Sequence, residues 1–177
     1  MINEAPPIDA RPMDPVVLAE RRQEGLALYG PAGEALLARN GGRAETVSLG
    51  GVRSQLVTPR ETRGGNAVLY LFGGGYVQGS PEEDLCITAT IAHETGYRVY
   101  APYYRLAPEH PYPAALDDAR AVYRALLETH DAAALTVMGE SAGAGLALSL
   151  MIALAQDGLA LPGRLALLSP WSDLTAT

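Results

Sequence analysis

The feature that most constrains this chain runs from Leu135 to Ala155: an apolar stretch, then Gly139-Glu140-Ser141-Ala142-Gly143, then a long run of small and apolar residues. This pattern predicts a strand, a sharp turn and a helix, with Ser141 at the tip. The G-x-S-x-G spacing has a steric reason, because a residue perched on a strained strand-to-helix turn leaves no room for a Cβ two positions before or after it. Glycine occupies both positions. The N-terminus of the following helix points its free N–H groups and the positive end of its dipole at the serine, where they would face a developing oxyanion. The pentapeptide alone recurs by chance in chains rich in Gly and Ala, so the flanking sequence must carry the reading.

At 177 residues the chain is long enough for one domain with a sizeable core. Thirteen basic against twenty acidic residues give a formal charge of -7, which opposes binding to nucleic acid or anionic lipid. Every basic residue is an arginine; with no lysine there is no Ser-Lys dyad, Schiff-base lysine or Walker A loop. Cys86 is the only cysteine, which rules out an intrachain disulfide and a cysteine-based zinc site and agrees with a reducing compartment. Met1 to Pro15 lacks the apolar core of a signal peptide, and the longest apolar run, Ala142 to Ala155, falls short of the roughly 20 residues needed to span a bilayer. The expected location is cytoplasmic, with no integral membrane association.

Taken in order, Asp14-Pro15 reads as an N-cap and first helical position, opening a helix from Val16 to Tyr29 that Gly30-Pro31 should break. A second short helix is expected over Gly33 to Arg39, ending at Asn40-Gly41-Gly42. Residues 1–42 are thus a helical cap or arm, and 43–177 the core. Arg43 to Leu49 and Val52 to Val57 alternate around Gly50-Gly51 as a hairpin does. Ala67 to Phe72 is apolar at every position, the mark of a strand covered on both faces. Ser80 and Glu83 have capping-box spacing for a helix running to Thr95 and stopped by Gly96. A strand over Tyr97 to Ala101, a helix over Ala114 to Thr129, the Ser141 unit and a strand over Leu165 to Leu168 complete the pattern. The alternation from Ala67 onward predicts an α/β fold, a mostly parallel sheet with helices on both faces.

Gly73-Gly74-Gly75 directly follows the central strand, where backbone N–H groups can approach a ligand closely. It is not a dinucleotide fingerprint: the third glycine would fall at Gln78, and for the Gly143–Gly145 pair at Leu148. A nucleotide-binding domain is therefore disfavoured. An oxyanion hole shared with the amide of Ala142 fits better.

Gly73-Gly74-Gly75, the segment Tyr104-Arg105-Leu106-Ala107-Pro108-Glu109-His110-Pro111-Tyr112-Pro113-Ala114, Gly139 to Gly143 and Ser169-Pro170-Trp171-Ser172-Asp173-Leu174 together resemble the bacterial hormone-sensitive-lipase family of esterases. The resemblance implies an α/β-hydrolase fold and hydrolysis of small carboxylic esters, of short to medium acyl chain, through a Ser-Asp-His triad and without cofactor or metal. By position it makes Ser141 the nucleophile and gives the oxyanion-hole amides to Gly74, Gly75 and Ala142. Tyr76, next to the glycines, would contact substrate, while Glu140, Glu109 and Arg105 would be structural. Two positions depart from the pattern. Phe72 stands where the family has histidine, and Tyr103 where it has aspartate, so aromatic packing should replace hydrogen bonds behind the glycine loop. No residue matches the family's triad aspartate or histidine; His93, His110 and His130 read as ordinary surface or loop histidines, and Asp173 as structural. The chain thus reads as lacking the last strands of the fold, completed by a longer chain, a second polypeptide or a homo-oligomer. The rival reading is a truncated, non-catalytic fold that binds an apolar ligand or a partner chain.

Overall fold

The computed structural model describes residues 14–173. Six strands form one sheet in the order β1-β2-β4-β3-β5-β6. β1 (Arg43–Leu49) and β2 (Val52–Thr58) make the expected hairpin, with Leu49 opposite Val52, and β2 runs antiparallel to β4 (Arg98–Pro102). β3 (Ala67–Leu71), β4, β5 (Leu135–Glu140) and β6 (Arg164–Leu168) are parallel. Every residue of β3 is buried, as its unbroken apolar sequence requires of a strand covered on both faces.

Handedness decides where the helices go. From β3 the chain passes through α2 (Leu85–Thr95) to β4 on one side, then through α3 (Ala114–Leu127) back across β3 to β5. Right-handed crossovers in opposite directions put α2 and α3 on opposite faces, and α4 (Ala142–Gln156) joins α3. The core between these layers is built from Leu69, Leu71, Val99, Val137, Tyr123, Leu146, Leu150 and Leu154.

Two elements differ from the sequence reading by more than two residues. The N-terminal segment is not two helices but one, α1 (Pro15–Arg39), with Pro31 in its interior. Gly30 and Gly33 are buried, and a Cβ on Gly33 would lie 2.6 Å from that of Leu85, so α1 docks on α2 through its small residues. That packing holds the helix together across a residue that alone would end it. Asp14 caps it as expected, accepting from the amides of Val16 and Val17 at 3.0 Å. α2 begins at Leu85, later than the capping box implied. Ser80 Oγ does accept from the Glu83 amide (3.3 Å), but the Glu83 carboxylate lies over Gly25 of α1 instead of reaching back, so the box closes only a turn. Gly96 ends α2 in the left-handed conformation, as expected.

Candidate active site

β3 and β5 are neighbours, and their C-terminal ends release the glycine loop and the Ser141 turn side by side, where open parallel sheets carry their ligands. Ser141 has φ 50° and ψ -117°, a backbone conformation that L-residues seldom adopt, and it is the N-cap of α4 without using its side chain to cap. Its hydroxyl is left for other chemistry. The flanking glycines are compelled: a Cβ on Gly139 would run into the carbonyl of Gly143, and one on Gly143 into the carbonyl oxygens of Leu71 and Phe72. The turn is tied to the sheet and to the segment beyond it, since the Ser141 amide donates to Leu168 O (2.9 Å) and the Trp171 amide donates to Ser141 O (3.0 Å).

The glycine loop folds back on itself. Val77 and Gln78 amides both donate to Gly74 O, at 3.2 and 3.0 Å, and Gly74 has φ 112° with no space for a Cβ beneath Gln78 O. Among the described residues, the amides of Gly74, Gly75 and Ala142 donate to no backbone carbonyl in a turn, loop or cap. Ala142 N heads a helix and has no acceptor within it. Tyr76 also has positive φ (64°), its carbonyl accepts from the Ala107 amide (2.9 Å), and its ring stands 6.4 Å from that of Trp171. Tyr76 and Trp171 form an aromatic wall beside the loop.

Aromatic packing stands behind the loop at Phe72 but not at Tyr103, and hydrogen bonds are present there too. Phe72 stacks on Tyr104 at 4.1 Å, and Tyr104 Oη donates to Phe72 O at 2.7 Å. Tyr103 turns the other way, under the guanidinium of Arg53 and hydrogen-bonded to Glu82. The loop has one further polar support that sequence reading missed: Asp84, which accepts from Tyr70 Oη (2.8 Å) and from the Gly73 amide. Burial pushes the Asp84 carboxyl above the usual carboxylate range, with these two hydrogen bonds opposing the shift. Glu140 is raised too, by burial and then by the charge of Asp84. The available signal was Tyr70 itself, a phenol within an otherwise apolar strand that must find an acceptor.

The histidines separate by position. His93 is exposed in the last turn of α2, and His130, after α3, stands edge-on to Tyr100 at 6.0 Å. Both helices end where the next parallel strand begins, so these residues lie at the far end of the sheet, roughly 20 Å of strand from Ser141. His110 lies at the correct end but is exposed, lining a groove with Tyr76, Leu146 and Ser149. Arg105 and Glu109 are in structural pairs, Arg105 with Asp118 at 2.8 Å and Glu109 with Arg22 at 2.9 Å. Among the described residues no group of His, Cys, Asp and Glu is arranged to hold a metal ion, and no helix is long and apolar enough to cross a membrane.

Residues 68–177 match the model of a family described as the alpha/beta hydrolase fold. The chain is 40% identical over 131 residues to an acetyl-hydrolase of Streptomyces hygroscopicus, covering 73% of this chain and 44% of that protein. Among solved structures it is similar to EstE5 (TM-score 0.84, 32% identity, 99% of this chain and 56% of that one). It is also similar to an esterase from the bacterial hormone-sensitive lipase family (TM-score 0.83, 34% identity, 95% and 55%). The chain spans about half the length of the relatives it matches.

Proposed function

Since this chain belongs to the α/β-hydrolase family, within its bacterial hormone-sensitive-lipase group, we propose that it supplies the nucleophile and oxyanion hole of a carboxylic-ester hydrolase. The observation that carries this reading is the strained Ser141 at the head of α4, its hydroxyl not engaged as a cap, beside a glycine loop whose Gly74 and Gly75 amides donate to no backbone carbonyl in a turn, loop or cap. Ser141 Oγ attacks the ester carbonyl carbon and gives its proton to a histidine that, with its partner aspartate, lies outside residues 1–177. The resulting alkoxide accepts from the amides of Gly74, Gly75 and Ala142; loss of one such donor typically costs about 10²- to 10³-fold in rate. Collapse expels the alcohol, protonated by the same histidine, and water then cleaves the acyl-serine.

The substrate in this reading is a small ester of short to medium acyl chain, bounded by Tyr76 and Trp171; the name of the acetyl-hydrolase relative supports the short end of that range. Residues 1–42 act as part of a cap, of which α1 is the described portion. The open edge of β6 takes a further strand, from a continuing chain, a second polypeptide or another copy, and the protein works in the cytoplasm. The position of the three described histidines favours one alternative, a non-catalytic fold that binds an apolar ligand.

Intact-mass analysis after treatment with a fluorophosphonate tests both. An adduct lost in Ser141→Ala, together with Ser141-dependent hydrolysis of p-nitrophenyl acetate, is the expected result. An unlabelled protein that binds apolar esters equally with and without the hydroxyl would establish the binder instead.

A further inference from the structure

Arg22 sits on α1, outside every motif of the site, yet its guanidinium reaches three other places in the chain. Nε donates to Val77 O (2.9 Å), Nη2 donates to Ala107 O (3.2 Å), and Nη1 and Nη2 donate to Glu109 Oε1 and Oε2, both at 2.9 Å. A planar fork paired on both arms with a carboxylate has its plane fixed. That plane aims Nε at the carbonyl of Val77, two residues beyond Gly75. The same stretch is held from the other side, because Ala107 N donates to Tyr76 O. Arg22 therefore clasps the glycine loop and the loop after β4 to each other, and α1 to both. The strength of the pairing also shows at Glu109, whose carboxyl is held down to about 2, chiefly by its hydrogen bonds from Arg22.

The loop needs such a clasp. Gly74, Gly75, Tyr76 and Gly79 all have positive φ, and the Val77 and Gln78 amides depend on a single acceptor, Gly74 O. We infer that Arg22 is a positioning residue for the oxyanion loop, and that Glu109 orients Arg22 for that task. In this arrangement α1 is not a detachable lid but a strut that sets where the Gly74 and Gly75 amides point. The catalytic part of the inference rests on the ester-hydrolase reading; the mechanical part does not.

Hydrogen exchange on the full chain tests the mechanical part without any need for turnover. Arg22→Gln should speed exchange of the Val77 and Gln78 amides by about tenfold or more, with β3 and β5 unchanged, whereas Glu109→Gln, which leaves the two carbonyl bonds possible, should give a smaller increase. Arg22→Lys, with one ammonium in place of the fork, should fall between wild type and Arg22→Gln. In hydrolysis of p-nitrophenyl acetate, Arg22→Gln should lower kcat by about tenfold and leave KM within about twofold, the signature of an interaction felt mainly in the transition state. Unchanged loop exchange in Arg22→Gln would overturn the inference. So would acceleration spread evenly over the loop, β3 and β5 in both Arg22→Gln and Arg22→Lys, since that marks a merely structural residue. Hydrolysis that persists in Ser141→Ala would sink the ester-hydrolase reading and leave the exchange result standing, so the two fail separately.

Discussion

At Ser141 backbone strain and chemistry can be separated. A residue held at φ 50°, ψ -117° carries strain of order 1–3 kcal/mol. Ser141→Ala removes the oxygen and keeps the strain, whereas Ser141→Gly removes both. Thermal unfolding should therefore find Ser141→Gly the more stable of the two by about 1 kcal/mol. Gly143 is the opposite case. A side chain there has nowhere to go between the carbonyls of Leu71 and Phe72, so Gly143→Ala should cost about 2–3 kcal/mol, or roughly 5–10 °C in Tm. The constraint is on the backbone path, and no neighbouring side chain can yield to relieve it.

Among the elements, α1 gives a pair of contrasting expectations. Pro31 leaves the helix one hydrogen bond short, so Pro31→Ala should raise Tm. Gly33→Ala improves propensity by a similar logic, yet its Cβ would meet Leu85 at 2.6 Å, and Tm should fall as α1 lifts from α2. Behind the glycine loop, Asp84 and Glu140 both have raised folded-state pKa values, for burial first in each case. Such groups bind their protons more tightly folded than unfolded, so they penalise stability at neutral and alkaline pH, and the penalty fades as pH falls through the raised folded values to the unfolded ones near pH 4. Glu140→Gln should consequently raise Tm by a few degrees at pH 8 and by progressively less toward about pH 4. A gain of the same size at both ends of a pH series of melting curves would contradict this account.

Across the whole molecule the sheet is finished unequally. β1, at one edge, alternates polar residues and is mostly exposed, while β6, at the other, presents Leu165 and Leu168 about 40% exposed, with Trp171 just beyond and Ile152 and Leu161 also open. An unpaired strand of this composition is a template for another strand. Light scattering should find the chain associating with rising concentration, and Leu168→Lys, a charge on the open edge, should weaken that association. A monodisperse monomer at high concentration would remove the basis for assigning a partner to this edge.

Most of the architecture was written locally. Glycine pairs, the apolar β3, the αL stop at Gly96 and the strand-turn-helix at Ser141 are decided by sterics within a few residues, and the parallel order follows from the alternation of elements together with the handedness of crossovers. Gly139 and Gly143 were legible for the same reason, as positions where a Cβ has no room, and they mark the serine between them. Tertiary structure alone decided the rest. Pro31 reads as a break until α2 is seen to hold the helix across it, and Ser80–Glu83 reads as a cap until Glu83 is seen turned toward Gly25. Arg22 carries no local signal at all, because its acceptors lie 55, 85 and 87 residues away. Local pattern records what a residue requires of its own backbone, whereas a side chain's long-range partner is chosen only when the elements pack.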